Sequence, residues 1–528
     1  MARLRILALF AMLLGTAEST KGDDLGGGGP KHRTEAGQCI SHFQRQAIEG
    51  RIAEYKSRHS LSSPIPRGSP DPLSFFPLAG SLWRDLFVFN YVDIDPSAGT
   101  LDWDCTAWTY DGHDGSDTDI RSFGEQLIGV PVFAAQDGVV IDSHDGEPDM
   151  NTEWAGQPAN YVIIDHGNGR DAWYFHLKNG SVVVGPSDPV SAGQQIGLCA
   201  SSGISTGPHL HFELHDNGAA FEPFSGPCQP DPTAWAEQPA IDRSAYLQDF
   251  GVTYENINLY GPWPNRWPNS GQIALTDTLT RIWWYGTALP VGSAWRVVFV
   301  RPNGTIAFNG PNQAFGNPVE WRWYNWWWSY NVTDMHTTTG TWHVRLIVNG
   351  VQMIEAPIEV RTTRTPDFNR APEPITVSME PSSARDGEVI ACRVSTSLTL
   401  DDADYDLLRY NYVWTVDGLE VRNVTTAAHG DVLSRDHVTT CGEITCTVTA
   451  RDAFAAAIPA VASTRIRPIV PLGDTSGNGL VGAEDIPGFV SLLLLEDPQC
   501  INAAVADMNW DSLINADDIQ SFVEDILN

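Results

Sequence analysis

Residues 205–214, STGPHLHFEL, end in a run, HLHFEL at 209–214, that alternates polar and apolar side chains as half-buried β-strands do. Side chains two positions apart on a strand point to one face, so His209 and His211 share a face of the predicted sheet. Similar runs lie upstream at 130–143 (VPVFAAQDGVVIDS) and 160–167 (NYVIIDHG), separated by Gly, Asn and Asp turns. The pattern predicts a compact antiparallel β-domain around the two histidines.

Two further strings supply residue types that bind metals or move protons. TYDGHDGSDTD at 109–119 contains His113 and Asp117 in an H-x-G-x-D frame, and WYFHL at 173–177 contains His176. Zinc accepts imidazole nitrogens and carboxylate oxygens, and a catalytic zinc keeps its fourth position for water. Together with the H-x-H pair, these strings contain enough ligands for a catalytic zinc site.

Three protein ligands suffice for such a site, and His113, Asp117 and His211 can supply them. His176 and His209 then remain for proton transfer or for stabilising an oxyanion, because the pKa of histidine lies near working pH. We expect Glu213, on the same strand as the H-x-H pair, to brace a ligand or to pair structurally.

The same strings resemble the M23 family of zinc metallopeptidases, of lysostaphin or LytM type, over about residues 73–214. The resemblance implies the same three zinc ligands and gives the catalytic roles to His176 and His209. It also implies hydrolysis of peptide bonds, in peptidoglycan cross-bridges or stems, by zinc-activated water with histidine acid or base assistance. We expect the peptidase domain at 73–235, with Cys199 bridged to Cys228.

The alternative is a non-catalytic, zinc-holding protein that binds the cell wall or acts as a scaffold in a calcium-dependent surface assembly. Family members that have become scaffolds typically lack one or more of the metal-binding or catalytic groups, and none is missing here. The chain is therefore predicted to be a zinc metalloendopeptidase that acts on peptidoglycan or another peptide.

Length and charge limit the remaining possibilities. A chain of 528 residues exceeds what one hydrophobic core usually organises, so several domains are expected. The net charge of -33 repels nucleic acid, which excludes a nucleic-acid partner. The many glycines and the scarcity of long helical patterns predict a mainly β, multidomain protein with an antiparallel catalytic domain, two β-sandwich modules and a small helical C-terminal module.

The N-terminus has the features of an exported protein. Residues 1–20 place Arg3 and Arg5 before a short apolar run and then small residues, which is the order of a signal peptide. No segment is long enough to span a membrane, so a secreted or cell-surface location is expected. Residues 21–72 are predicted to form a helical segment, from Glu35 to about Arg58, and a linker.

Two β-sandwich modules are predicted behind the peptidase domain. The first, at 246–362, is rich in tryptophan, and its cluster has two interpretations, carbohydrate stacking or buried packing: Trp321, Trp323, Trp326, Trp327 and Trp328. The second, at 372–468, resembles immunoglobulin or PKD-like modules, since Cys392, Trp414 and Cys446 follow the order of a bridged immunoglobulin core. The predicted disulfide is Cys392–Cys446, with Cys441 as the alternative to Cys446.

The final segment, 473–528, repeats itself with an offset of 33 residues and resembles a dockerin or tandem EF-hand-like module. Oxygen ligands at loop positions one, three, five, seven and twelve suit calcium, and position nine adds one in the second loop. The predicted calcium ligands are Asp474, Ser476, Asn478, Leu480 and Asp485 in the first loop and Asp507, Asn509, Asp511, Leu513, Asn515 and Asp518 in the second. The resemblance implies a cohesin-like protein partner.

Overall fold

The computed structural model describes residues 26–30, 39–59, 72–153, 156–260, 266–366, 368–396, 402–438, 442–466, 472–476, 478–494, 505–509 and 513–527. Strands predominate in these ranges and form several antiparallel sheets, which confirms the predicted mainly β architecture. None of the helices in these ranges has both the length and the apolar character needed to cross a bilayer. The predicted signal peptide lies outside the described residues.

Two elements precede the main sheet. Strand β1 (Gly26–Pro30) carries the sequence GGGGP, and helix α1 spans His42–Arg58. The helix begins later than the predicted Glu35, because Ser41 caps it: the Ser41 hydroxyl accepts a 3.1 Å hydrogen bond from the Gln44 backbone N–H. Cys39 and Ile40 therefore lie just outside the helix, and both are buried.

An eight-stranded antiparallel sheet follows, with the strand order β2-β3-β10-β7-β6-β5-β8 and with β11 paired to β10. A separate two-stranded ribbon, β4 with β9, and the short helix α2 (Phe123–Ile128) lie beside it. In chain order the strands are β2 (Phe87–Asn90), β3 (Ser116–Asp119), β4 (Pro131–Phe133), β5 (Gly138–His144), β6 (Tyr161–Gly167), β7 (Arg170–Phe175), β8 (Pro189–Val190), β9 (Gln195–Leu198), β10 (His209–Asp216) and β11 (Ala219–Phe221).

The two faces of this sheet have different partners. Leu210, Phe212 and Leu214 of β10 belong to the main core of the domain. The alternate residues of β10 face the other side, where Trp173 and Phe175 of β7 pack in a separate apolar cluster. The predicted alternation of β10 is therefore present, and its histidines lie on the face away from the main core.

A tryptophan-rich module follows, made of two sheets. Their strand orders are β1-β18-β14-β12 and β13-β20-β19-β15-β16, with β17 paired to β15, and one apolar cluster contains residues of both sheets. The strands are β12 (Tyr246–Thr253), β13 (Gln272–Ala274), β14 (Thr280–Leu289), β15 (Ala294–Val300), β16 (Ile306–Asn309), β17 (Gln313–Ala314), β18 (Trp321–Tyr330), β19 (Gly340–Val348) and β20 (Val351–Arg361).

The tryptophan cluster is on β18, and packing explains most of it. Four of its side chains, Trp321, Trp323, Trp326 and Trp327, are buried, and Trp328 is half-buried. A buried indole cannot stack on a sugar ring. The carbohydrate interpretation is therefore wrong for those four residues, and the packing interpretation holds.

A second pair of sheets contains the predicted Cys–Trp–Cys core. The strand orders are β21-β22-β25 and β24-β23-β26-β27. Cys392, Trp414 and Cys446 are buried in one cluster, but both cysteines are free thiols, which corrects the predicted disulfide Cys392–Cys446. The strands are β21 (Ile375–Glu380), β22 (Ile390–Thr396), β23 (Arg409–Val416), β24 (Leu419–Thr426), β25 (Gly430–Leu433), β26 (Glu443–Arg451) and β27 (Ala460–Arg465).

The disulfide that the structure contains joins Cys105 to Cys228, within the predicted peptidase domain. The expected Cys199–Cys228 bridge is wrong, because Cys199 is a buried free thiol. The alternative partner Cys441 lies outside the described residues.

Two helices close the described chain, α3 (Ile486–Leu493) and α4 (Asp518–Leu527). The rings of Phe489 and Phe522, one from each helix, stack with centroids 3.8 Å apart. These residues occupy equivalent positions of the internal repeat, so the two halves pack against each other as the repeat predicts.

Candidate metal centre

The three predicted zinc ligands lie on adjacent parts of the sheet. On β10, His211 is in register with Asp117 on one side and with Phe175 on the other. His113 lies in the turn just before β3. Strand pairing thus brings Asp117 and His211 together. Because His113 is only four residues before Asp117, it lies beside the same two side chains.

The ligand atoms of these residues form a compact triangle. His113 Nε2 lies 3.2 Å from both His211 Nδ1 and Asp117 Oδ1, and the last two atoms are 2.8 Å apart. Zinc bonds of about 2.0–2.1 Å in a tetrahedron place neighbouring ligand atoms about 3.3 Å apart. The donor set and its spacing therefore fit a zinc ion.

Each histidine of the predicted ligand set is held by a second contact on its far side. His113 Nδ1 donates to the Tyr91 carbonyl at 2.7 Å, and His211 Nε2 lies 2.8 Å from Glu213 Oε1. These bonds leave the other ring nitrogen of each histidine for metal. The Glu213 contact is the bracing role that the strand position predicted.

The two predicted catalytic histidines line the same site. His209 Nδ1 and His176 Nδ1 donate to the carbonyls of Gly207 and Ser202, at 2.8 and 2.6 Å. Their Nε2 atoms consequently face inwards, and His209 Nε2 is 3.6 Å from Asp117 Oδ1. The two rings lie 4.5 Å apart between centroids.

His176 also has an unusual backbone. It follows the end of β7 with φ +65°, a left-handed conformation that a non-glycine residue rarely adopts. Such conformations cost of order 1–3 kcal/mol and concentrate at functional sites. The turn directs the imidazole into the site rather than along the strand.

The pKa values of the two predicted catalytic histidines are shifted in opposite directions. Burial and the neighbouring His209 lower the pKa of His176. Burial lowers the pKa of His209 too, but the Asp117 carboxylate, the Cys39 thiol and the Gly207 carbonyl together outweigh burial and raise that pKa. Asp117 likewise overcomes burial at His113, where the pKa rises to about 9. The carboxylate thus dominates the charge of the site.

The structure adds one residue that the sequence did not indicate. The Cys39 Sγ lies 2.9 Å from the Tyr110 hydroxyl and 4.0 Å from Asp117 Oδ2. One ligand atom from each of Cys39, His113, Asp117 and His211 lies within 4.8 Å of the others. No spacing rule in the sequence connects Cys39 to ligand residues so far along the chain.

Helix α1 also reaches the site. Arg45 donates to both carboxylate oxygens of Glu213, at 3.0 and 2.6 Å, and pairs with Asp114 at 3.1 Å. Its guanidinium lies 5.4 Å from the Trp173 ring centroid. The helix therefore covers the histidine-bearing face of the sheet.

Comparison with known proteins agrees with this geometry. Residues 113–223 match the model of Peptidase family M23. This segment is similar to M23 peptidases. Over 87 residues, 16% of this chain and 18% of the relative, the identity to the peptidoglycan DD-endopeptidase ShyA of Vibrio cholerae is 44%.

Two more known proteins show the extent of the similarity. The glycyl-glycine endopeptidase ALE-1 of Staphylococcus capitis is 30% identical over 155 residues, which cover 29% of this chain and 38% of the relative. The catalytic domain of the prophage-encoded M23 protein EnpA from Enterococcus faecalis, as a mutant, is 23% identical, with a TM-score of 0.20 and coverages of 29% and 95%. The chain spans less than two fifths of the length of either curated relative, ShyA or ALE-1.

The predicted calcium ligands are described in part. In the first loop the Ser476 and Gly482 backbone N–H groups donate to the two oxygens of Asp485, both at 2.8 Å. In the second loop Asn509 and Asn515 donate to Asp518 in the same way, at 3.1 and 2.8 Å. Asp474 and Asp507 are buried, Leu480 and Leu513 are exposed, and Asp511 lies outside the described residues.

Proposed function

We propose that this protein is a secreted zinc metalloendopeptidase that hydrolyses peptide bonds of peptidoglycan, in cross-bridges or stems. The observation that carries the proposal is the convergence of His113, Asp117 and His211 on one triangle of ligand atoms with His176 and His209 beside it. Five residues from three separate strings meet there, and each histidine has one nitrogen already engaged.

His113, Asp117 and His211 would hold the zinc ion. A zinc ion in such a site supplies a Lewis acid and lowers the pKa of a water molecule toward neutrality. Tyr91 and Glu213 keep the ligand rings oriented through the hydrogen bonds described above.

His176 and His209 would handle the protons of the reaction. Their Nδ1 atoms are fixed to backbone carbonyls, so each ring can accept or donate a proton only at Nε2. Peptide hydrolysis needs a proton removed from the attacking water and one delivered to the leaving amine. His176 and His209 lie on one side of the site and their pKa values are shifted in opposite directions. We assign the two proton transfers to this pair jointly.

The substrate proposal is supported by the relatives' names, a peptidoglycan DD-endopeptidase and a glycyl-glycine endopeptidase. The predicted signal peptide supports export to the compartment where peptidoglycan lies. The six predicted segments, with boundaries at 1–20, 21–72, 73–235, 246–362, 372–468 and 473–528, remain part of the proposal.

The test measures bound zinc and hydrolysis of purified peptidoglycan and of pentaglycine, before and after limited proteolysis of the N-terminal region. His211→Ala should lose zinc and turnover, whereas His209→Ala and His176→Ala should keep zinc and lose about 10²–10⁴-fold in rate. His144→Ala, at a partly exposed histidine of the same domain, is the control and should change neither zinc binding nor turnover. A wild type that binds zinc but cleaves neither substrate would favour the scaffold alternative.

We also propose that the C-terminal segment is a calcium-stabilised module. The mirrored hydrogen bonds of Asp485 and Asp518 support it, because they give the two predicted loops one shared conformation. Calcium at both loops would fix the positions of α3 and α4, and the exposed surfaces of these helices would be available to a cohesin-like partner.

A further inference from the structure

The face of the sheet that carries the five proposed site residues is covered in this structure by another part of the same chain. None of His113, Asp117, His176, His209 and His211 is more than 3% exposed. A peptide substrate must reach these side chains, so the described conformation excludes it. The covering residues come from 39–59, and Cys39 is the one that enters the ligand cluster.

We propose that the Cys39 thiolate is the fourth ligand of the zinc ion, so that the N-terminal segment holds the peptidase in a closed form. The inference rests on the proposed function for the presence of zinc. It adds a ligand and a regulatory role that the three-residue set does not contain.

The donor chemistry supports the assignment. Cysteine sulfur, histidine nitrogen and aspartate oxygen are all zinc ligands, and four protein ligands complete a tetrahedron. Catalytic sites differ from closed ones in keeping the fourth position for water or substrate. Cys39 supplies the fourth donor within 4.8 Å of the other three, so the set is of the closed kind.

The thiol also lies on the catalytic side of the cluster. Cys39 forms a second group of ligand atoms with His176 and His209, again within 4.8 Å. A reacting peptide would have to lie between these two histidines and the metal ligands. Cys39 therefore occupies the space that the substrate needs. The same side chain would bind the zinc ion and exclude the substrate.

Helix α1 holds Cys39 in place through apolar contacts. Ile48 and Ile52 are buried against the face of the sheet that carries Trp173 and Phe175. Burying such side chains contributes strongly to binding of a segment, because each removes a large apolar area from water.

Charged contacts align the same helix along the sheet. Arg45 pairs with Glu213, Arg51 with Asp142 at 3.0 Å, and Lys56 with Asp171 at 3.0 Å. The three pairs follow the helix from its first turn to its last. Since Glu213 also contacts His211, the first of them connects the helix directly to the metal centre.

Strand β1 anchors the segment on the other side of Cys39. It pairs with β18 in register Gly26 to Trp328 and Gly28 to Trp326. A Cβ at Gly28 would lie 2.1 Å from the Asn325 carbonyl oxygen, so this close pairing needs glycine. Cys39 thus lies in the chain between β1 and α1, both of which pack against the rest of the protein.

The decisive experiment uses the full mature chain with cobalt in place of zinc. A thiolate ligand gives cobalt a charge-transfer absorption band in the near ultraviolet, which nitrogen and oxygen ligands do not. We expect the band in the wild type, its loss in Cys39→Ala and its retention in Cys199→Ala, a buried thiol elsewhere in the domain. All three proteins should hold one cobalt ion.

The outcomes separate this inference from the proposed function. A wild type that binds one cobalt ion without the band, or a Cys39→Ala variant that keeps it, would overturn the Cys39 ligand and leave the zinc site standing. A wild type that binds no metal would overturn both. Cys39→Ser, which keeps the volume of the side chain, repeats the test if the alanine variant does not fold.

A second pair of variants tests closure. Ile48→Asp places a charge in the buried contact and should detach α1, which removes the band, keeps the metal and raises peptidoglycan hydrolysis at least about tenfold. Gln46→Asp introduces an aspartate on the exposed side of the helix instead, and it should leave the band, the bound metal and the rate of hydrolysis unchanged. Equal hydrolysis and equal bands in the two variants would overturn the closed form.

Discussion

The Asn90 side-chain amide donates a 2.8 Å hydrogen bond to Asp117 Oδ2, the carboxylate oxygen that faces away from His211. The other amide atom, Oδ1, accepts from the guanidinium of Arg322, which belongs to the tryptophan-rich module. Arg322 also donates to the Phe89 carbonyl at 3.0 Å. A ligand of the proposed zinc site is therefore supported by residues of two modules.

Asn90→Ala should weaken zinc binding, because Asp117 loses the contact that orients its carboxylate. Removing such an outer contact typically costs about 10–100-fold in metal affinity. Competition with a chromophoric chelator measures the change. Asn411→Ala removes a comparable amide contact, to Asn423, in the second sandwich and should leave zinc affinity unaltered. Equal affinities in wild type and Asn90→Ala would show that Asn90 does not support the ligand.

The Cys105–Cys228 disulfide should stabilise the peptidase domain, since it joins residues 123 positions apart. Loss of a native disulfide typically costs about 2–5 kcal/mol of unfolding free energy. We expect the double variant Cys105→Ser, Cys228→Ser to unfold several degrees below the wild type. A reductant should lower the wild-type Tm to that of the variant and leave the variant unchanged. A reductant that lowers both equally would point to another cause.

The clustering of the proposed zinc ligands could be predicted from sequence because their relations are local or follow from strand alternation. His113 and Asp117 are four residues apart, and His209 and His211 are two apart on one strand. The same reasoning correctly gave the mainly β architecture. It also gave the packing of the repeated helices, where Phe489 and Phe522 stack.

Cys39 and the disulfides could not be found in this way, because each depends on the path of the chain in three dimensions. Cys39 lies at the site only because α1 packs on the sheet. No sequence periodicity predicts that packing. Cys228 lies beside Cys105 through the loops that follow β11 and precede β3. Cys392 and Cys446 were placed correctly in one core, but a shared core does not determine whether two thiols are oxidised.

Asp402 should make the stability of the protein depend on pH. Burial raises its pKa to about 7, above the usual value of 3.8, and the neighbouring Asp406 and Asp404 carboxylates add to the shift. The folded state then binds more protons at Asp402 than the unfolded state between these values, so the contribution of Asp402 to stability is greatest below pH 3.8 and falls as pH rises toward 7.

Asp402→Asn removes this dependence while keeping an oxygen that can accept from the Asp404 and Asp406 backbone N–H groups. Thermal unfolding of both proteins at pH 5 and pH 8 is the measurement. We expect a higher Tm for the variant at pH 8 than for the wild type, and a smaller difference at pH 5. A difference that is constant across this range would contradict the shifted pKa.

Calcium should stabilise the C-terminal helices, and the second loop should contribute more than the first. Asp485 and Asp518 hold equivalent positions, but the second loop has Asn515 at position nine where the first has Gly482. A ligand present at about 100 times its Kd stabilises the folded state by about 2.7 kcal/mol. Adding calcium to metal-free protein should therefore raise the Tm of this segment, followed by the helical circular dichroism signal.

Asp518→Asn should reduce that calcium effect more than Asp485→Asn, because it removes a charge from the loop with more oxygen ligands. Asp525→Asn, an acidic residue of α4 outside the predicted loops, is the matched control and should respond to calcium as the wild type does. Magnesium, which requires a stricter octahedral site, should not replace calcium at equal concentration. A Tm that calcium leaves unchanged in the wild type would mean that the mirrored hydrogen bonds of Asp485 and Asp518 form the loops without an ion.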